Sequence, residues 1–114
     1  MPVFDKDELL DRVGGDWDFL AETVDMLKTD GRALMEKIRS AAASGDAAAV
    51  GREGHAIKGM ISNFCAPGAH ASAYEVEKIG KSGDLSAAPV AIETLQIRLD
   101  ELIRGLAELL AVRA

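Results

Sequence analysis

The chain has 114 residues, of which 48% are hydrophobic and 28% are charged. This length fits a single domain over residues 1–114 with one core, and the hydrophobic content argues against intrinsic disorder. The formal net charge of −6 at pH 7 argues against nucleic acid as a partner.

The sequence carries no sign of export or of membrane insertion. It has no run of about 18 apolar residues that could span a bilayer. Its N-terminus lacks the basic and then apolar pattern of a signal peptide. The only cysteine, Cys65, has no second cysteine with which to form an internal disulfide. Together these features predict a soluble, cytoplasmic protein that does not associate with membranes.

The spacing of apolar residues predicts helices throughout and no strands. A short first helix is predicted from Asp5 to about Val13, and Gly14-Gly15 ends it. The second helix begins after Asp16, whose carboxylate can accept hydrogen bonds from free backbone N–H groups. Ser44-Gly45-Asp46 ends this helix with a left-handed cap and begins the next.

Three further helices are predicted, over about 46–64, 67–81 and 87–112. Small residues on the inner side of the middle one allow a neighbouring helix to come close; these inner positions are Ala69, Ala73, Val76 and Ile79. The last helix has a leucine-rich stripe that could form a coiled-coil dimer. The second to fourth helices carry matching stripes that need partners, however, which favours one core within a monomer. The predicted fold is all-α, an antiparallel four-helix bundle with a short additional N-terminal helix.

His55 is the candidate functional residue. It lies on the helix predicted over 46–64, well off the apolar stripe. Gly51, Gly59 and Ser62 border it along the same face, and Lys58 approaches it from the side. A lone histidine on a helix is more often an ordinary surface residue, but these small neighbours and the adjacent cation favour an accessible nucleophile.

The glycines of this helix strengthen the interpretation. Gly51, Gly54 and Gly59 each cost about 1 kcal/mol relative to alanine inside a helix. Gly54 falls on the apolar stripe, where close helix packing explains it. Gly51 and Gly59 share the His55 side, where packing does not explain them. We therefore expect these two glycines, with Arg52 and Ser62, to form a docking surface for a partner protein.

Other kinds of site are poorly represented. Two histidines and one cysteine provide no zinc set, and neither a Glu-x-x-His motif nor a glycine-rich phosphate loop occurs. His70 is expected at the surface, and Cys65 is expected to be a small buried residue. Glu75 and Glu77 are two residues apart and should point in different directions.

The sequence resembles a bacterial histidine-containing phosphotransfer (HPt) domain over nearly its whole length. The centre of the resemblance is His55-Ala56-Ile57-Lys58-Gly59, where the family has His, any residue, a large aliphatic residue, Lys and Gly. Further matches are the aliphatic-Glu pair Val76-Glu77, the Gly-Asp-Leu at 83–85 and an earlier Gly-Asp at 45–46. Cys65 departs from the usual glycine, and Met60-Ile61 are bulkier than the common residues.

The resemblance implies that His55 is reversibly phosphorylated and carries a phosphoryl group between receiver-domain aspartates of a two-component phosphorelay. Lys58 would offset part of the negative charge of that group. The implied partners are response-regulator receiver domains and a hybrid histidine kinase. Because the sequence shows no carboxylate cluster for Mg²⁺ and no ATP-binding motif, we expect no cofactor of its own, Mg²⁺ on the receiver, and no autonomous kinase activity.

The main alternative is a non-catalytic helical interaction module that binds signalling partners without phosphotransfer. It would need the same bundle but not His55. A metal or cofactor bundle is a second alternative, which the missing ligands argue against. A chain that starts at Met1 and ends soon after its last helix fits a complete small protein, and a piece of a larger kinase also fits.

Overall fold

The computed structural model describes residues 3–113, with the side chains of residues 3–112, so Met1, Pro2 and Ala114 lie outside the described part. The described part is helical and contains no strand. The helices are α1 (Lys6–Arg12), α2 (Trp17–Ser44), α3 (Ala47–Ile61), α4 (Pro67–Ser82) and α5 (Ala88–Arg113), and a 3₁₀ turn at Ser62–Phe64 follows α3.

The four long helices form a bundle in which each contacts two neighbours. Helix α2 packs against α3 and α5, and α4 packs against the same two helices. Short connections join successive helices, so neighbours run antiparallel. At about 1.5 Å per residue, α2 spans nearly the full 45 Å length of the bundle. The predicted all-α bundle is therefore confirmed.

Helix α1 closes the end of the bundle at which α2 begins. The backbone N–H of Asp5 donates to the carbonyl of Cys65 at 2.8 Å. The Arg12 guanidinium donates to the carbonyl of Ser62 at 2.9 Å. Leu9 is buried in the core. Hydrogen bonds thus hold the short helix and its N-cap to the α3–α4 connection, and Leu9 anchors it in the core.

The predicted helix boundaries are produced by local side-chain chemistry. Asp5, Asp16 and Asp46 each precede a helix, and each carboxylate accepts a hydrogen bond from a backbone N–H in the first turn. Gly45 and Gly83 end α2 and α4 with φ angles of 77° and 80°. Glycine adopts this left-handed conformation without the steric cost that a side chain would add.

The core consists of one apolar stripe from each helix. The stripe of α5 is buried within this chain, as favoured over a coiled-coil dimer; its members are Ile92, Leu95, Leu99, Leu102, Leu106 and Leu109. On α4, Ala69, Ala73 and Val76 are buried as predicted. Ile79 is only half-buried, and Glu77 and Gly80 are buried beside these residues instead.

Helices α3 and α4 approach each other to backbone contact. A Cβ atom on Gly54 would lie 2.9 Å from the backbone nitrogen of Glu77, and one on Gly51 would lie 3.3 Å from that of Lys81. A Cβ on Gly80 would overlap the backbone of Gly51. The prediction that packing does not explain Gly51 is therefore wrong, because α4 covers a wider flank of α3 than the apolar stripe indicates.

Cys65 has a left-handed backbone conformation, with φ 54° and ψ 47°. It is the only non-glycine residue with positive φ in the described part of the chain. The side chain is half-buried rather than fully buried as expected. The conformation gives a physical reason for glycine at this position in the HPt pattern, since only glycine adopts it at no steric cost.

We expect Cys65→Gly to be about 1 kcal/mol more stable than Cys65→Ala, because alanine retains the steric cost of the left-handed conformation. Both variants remove the same half-buried thiol, so their difference isolates the backbone effect. Urea unfolding of the two variants measures it. Equal unfolding midpoints would show that the backbone at this position is not strained.

Candidate functional site

His55 lies in the middle of α3 with most of its side chain, 68%, exposed to solvent. Its Nδ1 atom is 3.0 Å from Oε2 of Glu77, which is on the neighbouring helix α4. The close approach at Gly51, Gly54 and Gly80 makes this contact possible, since it brings the backbone of α4 beside the face of α3 that carries the histidine.

Glu77 is a charged side chain buried in the interior, with only 1% of it exposed. The Lys58 ammonium lies 2.7 Å from its Oε1 atom, and the Lys81 ammonium lies 2.7 Å from Oε2. Oε1 has no other polar partner among the described residues, so the ammonium of Lys58 compensates its burial. A buried carboxylate is costly without such partners, and these two lysines supply the positive charge that it requires.

The lysines determine the protonation state of the site. Lys58 first, and then Lys81, lower the pKa of Glu77 to about 2, and they outweigh the opposing effect of burial. Glu77 is therefore ionised at neutral pH and can only accept hydrogen bonds. It follows that Nδ1 of His55 carries a hydrogen and donates a hydrogen bond to Glu77. A neutral ring then has its free lone pair on Nε2.

The two lysines differ in how firmly they are held. Only 21% of the Lys58 side chain is exposed, and its ammonium lies 4.8 Å from the centre of the Tyr74 ring in a cation–π contact. Lys78 makes an equivalent contact with the same ring. In contrast, 68% of the Lys81 side chain is exposed. Lys58 is thus fixed between Glu77 and Tyr74, whereas Lys81 extends along the surface.

Comparison with known protein families matches residues 22–107 to the Hpt domain. The chain belongs to the Hpt domain family. The matched residues include α3 and α4 completely, and therefore every residue of the site around His55. This confirms the resemblance stated from the sequence. The protein is a histidine phosphotransfer protein of a phosphorelay.

Among solved structures, the Hpt protein is similar to histidine-containing phosphotransfer protein B (HptB) from Pseudomonas aeruginosa PAO1. The two share 23% sequence identity over 96% of each chain, with a TM-score of 0.89. At this identity the similarity shows a common fold. No curated protein matches the sequence at a significant level.

The structure places the remaining predicted site residues of the Hpt protein around His55 in different environments. Arg52 is exposed and pairs with the neighbouring Glu53 at 3.2 Å. Gly59 is exposed, and a Cβ added to it would have no atom within 4 Å. Ser62 follows the last residue of α3, and its hydroxyl donates to the carbonyl of Gly59 at 2.6 Å.

A shallow depression lies beside the histidine, between α3 and α4. Gly51 contributes buried backbone to it, and Arg52, His55, Gly80 and Lys81 line it further. The sequence-predicted docking residues are therefore divided. Gly51 and Arg52 border this depression, whereas Gly59 and Ser62 lie nearer the C-terminal end of α3.

The sequence interpretation missed the roles of Glu77 and Lys81. Glu77 was noted only as part of a family pattern and for its direction relative to Glu75. A signal was present, because Glu77 lies four residues after Ala73 and one after Val76, on the inner side of α4. A carboxylate on the buried side of a helix requires a partner, and Lys81 follows it by one turn.

No group of three or more His, Cys, Asp and Glu side chains that could hold a metal ion is present in the described part of the Hpt protein. None of the helices over residues 3–113 is long and apolar enough to cross a membrane. The expectations of no cofactor and of Mg²⁺ on the partner stay predictions.

The stability of the Hpt protein should depend on pH through Glu77. Its pKa in the folded protein is about 2, below the ordinary value of 4.5, so folding favours the ionised form. This contribution is complete above pH 4.5 and is lost as the pH falls from 4.5 towards 2. We expect Glu77→Gln to be less stable than wild type at pH 7, and this difference should shrink at pH 3.

Thermal unfolding of both proteins between pH 7 and pH 3 measures this effect. Glu75→Gln is the matched control, since Glu75 is exposed and pairs with Lys78 on the surface. Its unfolding temperature should stay close to that of wild type at every pH. Parallel pH profiles for wild type and Glu77→Gln would contradict the ion pairing described for Glu77.

Proposed function

We propose that Nε2 of His55 is the atom that carries the phosphoryl group, and that it exchanges this group with an aspartate of a response-regulator receiver domain. The observation that carries the proposal is the hydrogen bond from Nδ1 to the buried, ionised Glu77. This bond selects the tautomer with a free lone pair on Nε2 and orients an exposed ring. Both are properties of an activated nucleophile.

The transfer follows from this arrangement. The Nε2 lone pair attacks the phosphorus atom of the aspartyl phosphate in line with the breaking P–O bond. As the N–P bond forms, the electron pair of the P–O bond leaves with the aspartate carboxylate. Nδ1 keeps its proton, so the phosphorylated ring becomes a cation that faces the carboxylate of Glu77. Reversal of the same steps returns the phosphoryl group to a receiver.

Lys58 supports this reaction through Glu77. Its ammonium compensates the negative charge at Oε1 and holds the carboxylate in the position from which Oε2 contacts Nδ1 of His55. The sequence assigned Lys58 to direct offset of phosphoryl charge. The position between Glu77 and Tyr74 supports a positioning role, and its charge still adds positive potential near His55.

The proposal includes the partners and the environment of the protein. A hybrid histidine kinase supplies phosphoryl groups to the relay, and the receiver domain holds the Mg²⁺ that transfer requires. The Hpt protein acts as a cytoplasmic monomer without a cofactor and without binding nucleic acid or membranes. The absence of an ATP-binding motif in the sequence supports a separate kinase as the source of phosphoryl groups, and the net charge of −6 argues against a nucleic-acid partner.

Transfer of label from a receiver tests the proposal. A receiver domain phosphorylated with labelled acetyl phosphate is mixed with the Hpt protein, and the labelled residue is located by peptide mapping. We expect acid-labile, alkali-stable phosphate on His55. Binding to the receiver without any transfer of label would instead support the non-catalytic interaction module.

The receiver should dock on the surface around His55 formed by Gly51, Arg52, Gly59 and Ser62. Substitution of Gly59 by Glu or Leu should slow transfer by about tenfold or more, because the new side chain projects into the approach path and Glu adds a charge that repels an acidic receiver pocket. Gly59 is exposed and a Cβ added to it has no atom within 4 Å in the free protein, so the fold should remain intact.

Transfer rates from the phosphorylated receiver and circular dichroism measure both expectations. Gly68→Glu is the matched control: it adds the same charge at an exposed glycine in the first turn of α4, away from His55. It should transfer at the wild-type rate. If Gly59→Glu also retains the wild-type rate, the receiver docks elsewhere.

A further inference from the structure

Lys81 and His55 contact the same carboxylate oxygen of Glu77. The Lys81 ammonium and Nδ1 of His55 contact the same oxygen of Glu77, Oε2, at 2.7 Å and 3.0 Å. Lys58 contacts the other oxygen, Oε1. Of the two lysines that pair with Glu77, Lys81 therefore shares an atom with the histidine, and Lys58 does not.

The surroundings of Lys81 leave room for its ammonium to move. Its side chain is mostly exposed and lines the same depression as the imidazole. Gly51 and Gly80 also border this depression. Because glycine has no side chain, neither residue obstructs movement of the Lys81 ammonium towards the imidazole. Lys58 has no comparable freedom, because Glu77 and the Tyr74 ring hold its ammonium.

Phosphorylation would change the charge balance at Oε2. Before transfer, a ring with its lone pair free on Nε2 has no charge, and Lys81 supplies the positive charge beside this oxygen. After transfer, the ring itself is a cation whose Nδ1–H donates to Oε2. The carboxylate then has the ring on Oε2 and Lys58 on Oε1, so it no longer needs Lys81 for neutralisation. At the same time a dianionic phosphoryl group appears on the other side of the ring.

We propose that Lys81 is a second catalytic residue, whose ammonium leaves Glu77 and binds the phosphoryl oxygens once His55 is phosphorylated. This inference rests on the proposed function of His55. The exchange leaves no uncompensated charge on the buried carboxylate, because the phosphorylated ring replaces Lys81 at Oε2 and Lys58 stays at Oε1. Lys81 exchanges a contact with a singly charged carboxylate for a charge-assisted hydrogen bond to a phosphoryl group whose charge is about −2. Lys58 stays on Glu77 throughout.

The experiment separates this inference from the proposed function. Phosphoramidate, a small-molecule donor, phosphorylates His55 without a receiver: Nε2 attacks phosphorus, the P–N bond of the donor breaks, and ammonia leaves. Wild type, Lys81→Ala, Lys81→Arg and Lys58→Ala are loaded in this way. The ³¹P chemical shift of each phosphohistidine is recorded, and the equilibrium constant for exchange with a receiver domain is then measured.

We expect Lys81→Ala to lower the fraction of phosphate on the histidine and to reduce the equilibrium constant several-fold, because Lys81 binds the phosphoryl group more strongly than it binds Glu77 and only this difference affects the equilibrium. Its ³¹P shift should differ from that of wild type, and Lys81→Arg should restore both values in part. Lys78→Ala is the matched control, since Lys78 is an exposed lysine on the same helix that pairs with Glu75 and lies outside the depression. It should behave as wild type.

Each outcome decides between the two statements. If neither phosphoramidate nor a receiver labels His55, the proposed function itself fails. If His55 is labelled and Lys81→Ala keeps the wild-type equilibrium and ³¹P shift, Lys81 does not contact the phosphoryl group and the inference is overturned. The inference is also overturned if Lys58→Ala alone shows these losses, because Lys58 would then be the phosphoryl-binding cation.

Discussion

His55→Gln is expected to abolish phosphate incorporation, by at least about 10³-fold, because glutamine has no nucleophilic lone pair comparable to that of imidazole. The fold should be unaffected, since the His55 side chain is mostly exposed and contributes little to the core. The glutamine amide can still donate to Glu77 and keep that carboxylate satisfied. Label transfer from a phosphorylated receiver measures the first effect, and circular dichroism checks the second.

His70→Gln is the matched control for this experiment. His70 is the only other histidine of the chain, and it is exposed near the start of α4. This variant should accept phosphate at the wild-type rate. Phosphate incorporation by His55→Gln equal to that of wild type would mean that another residue is the phosphoryl acceptor.

Gly80→Ala is expected to have the largest effect on stability, a loss of about 3 kcal/mol. The added methyl group would overlap the backbone of Gly51 on α3, and backbone cannot move aside as a flexible side chain can. The two helices must therefore separate. Because Glu77 lies one turn before Gly80, the same displacement should pull the carboxylate away from His55 and slow phosphotransfer at temperatures where the variant is still folded.

Gly59→Ala provides the opposite case in a helix of the same bundle. This glycine is exposed and nothing lies within 4 Å of an added Cβ, so alanine should stabilise the protein by up to about 1 kcal/mol. Urea unfolding of both variants gives the comparison. If Gly80→Ala unfolds at the same urea concentration as Gly59→Ala, the backbone contact between α3 and α4 does not contribute to stability.

The positions of the helices and of His55 could be predicted from the sequence because they depend on local interactions. The aspartates before α1, α2 and α3 cap the helices that follow them, and glycine ends α2 and α4, within a few residues in each case. The apolar stripe of α3 follows the helical period, and a polar residue well off that stripe is expected to be exposed. His55 is such a residue.

The glycines show where local reasoning stopped. Gly54 and Gly59 were interpreted correctly, one as a packing residue and one as an exposed position. Gly51 was assigned to the exposed side because its angle on the helix is close to that of His55. In the structure, the backbone of α4 covers Gly51. How far a neighbouring helix extends around a face depends on the distance between the two helices, which a helical period does not encode.

By itself, then, the sequence determined a helical bundle with His55 exposed on α3, because helix period, capping and turn chemistry act between residues close in the chain. The family pattern added the histidine phosphotransfer assignment. Only the tertiary structure decided what faces Nδ1. Glu77 is 22 residues from His55 in the chain, and its contact with the ring exists because three glycines let α3 and α4 meet at their backbones. The same packing decided that Lys58 is held against Glu77 and Tyr74 while Lys81 lies in the open, since burial and ion pairing are set by which helices touch.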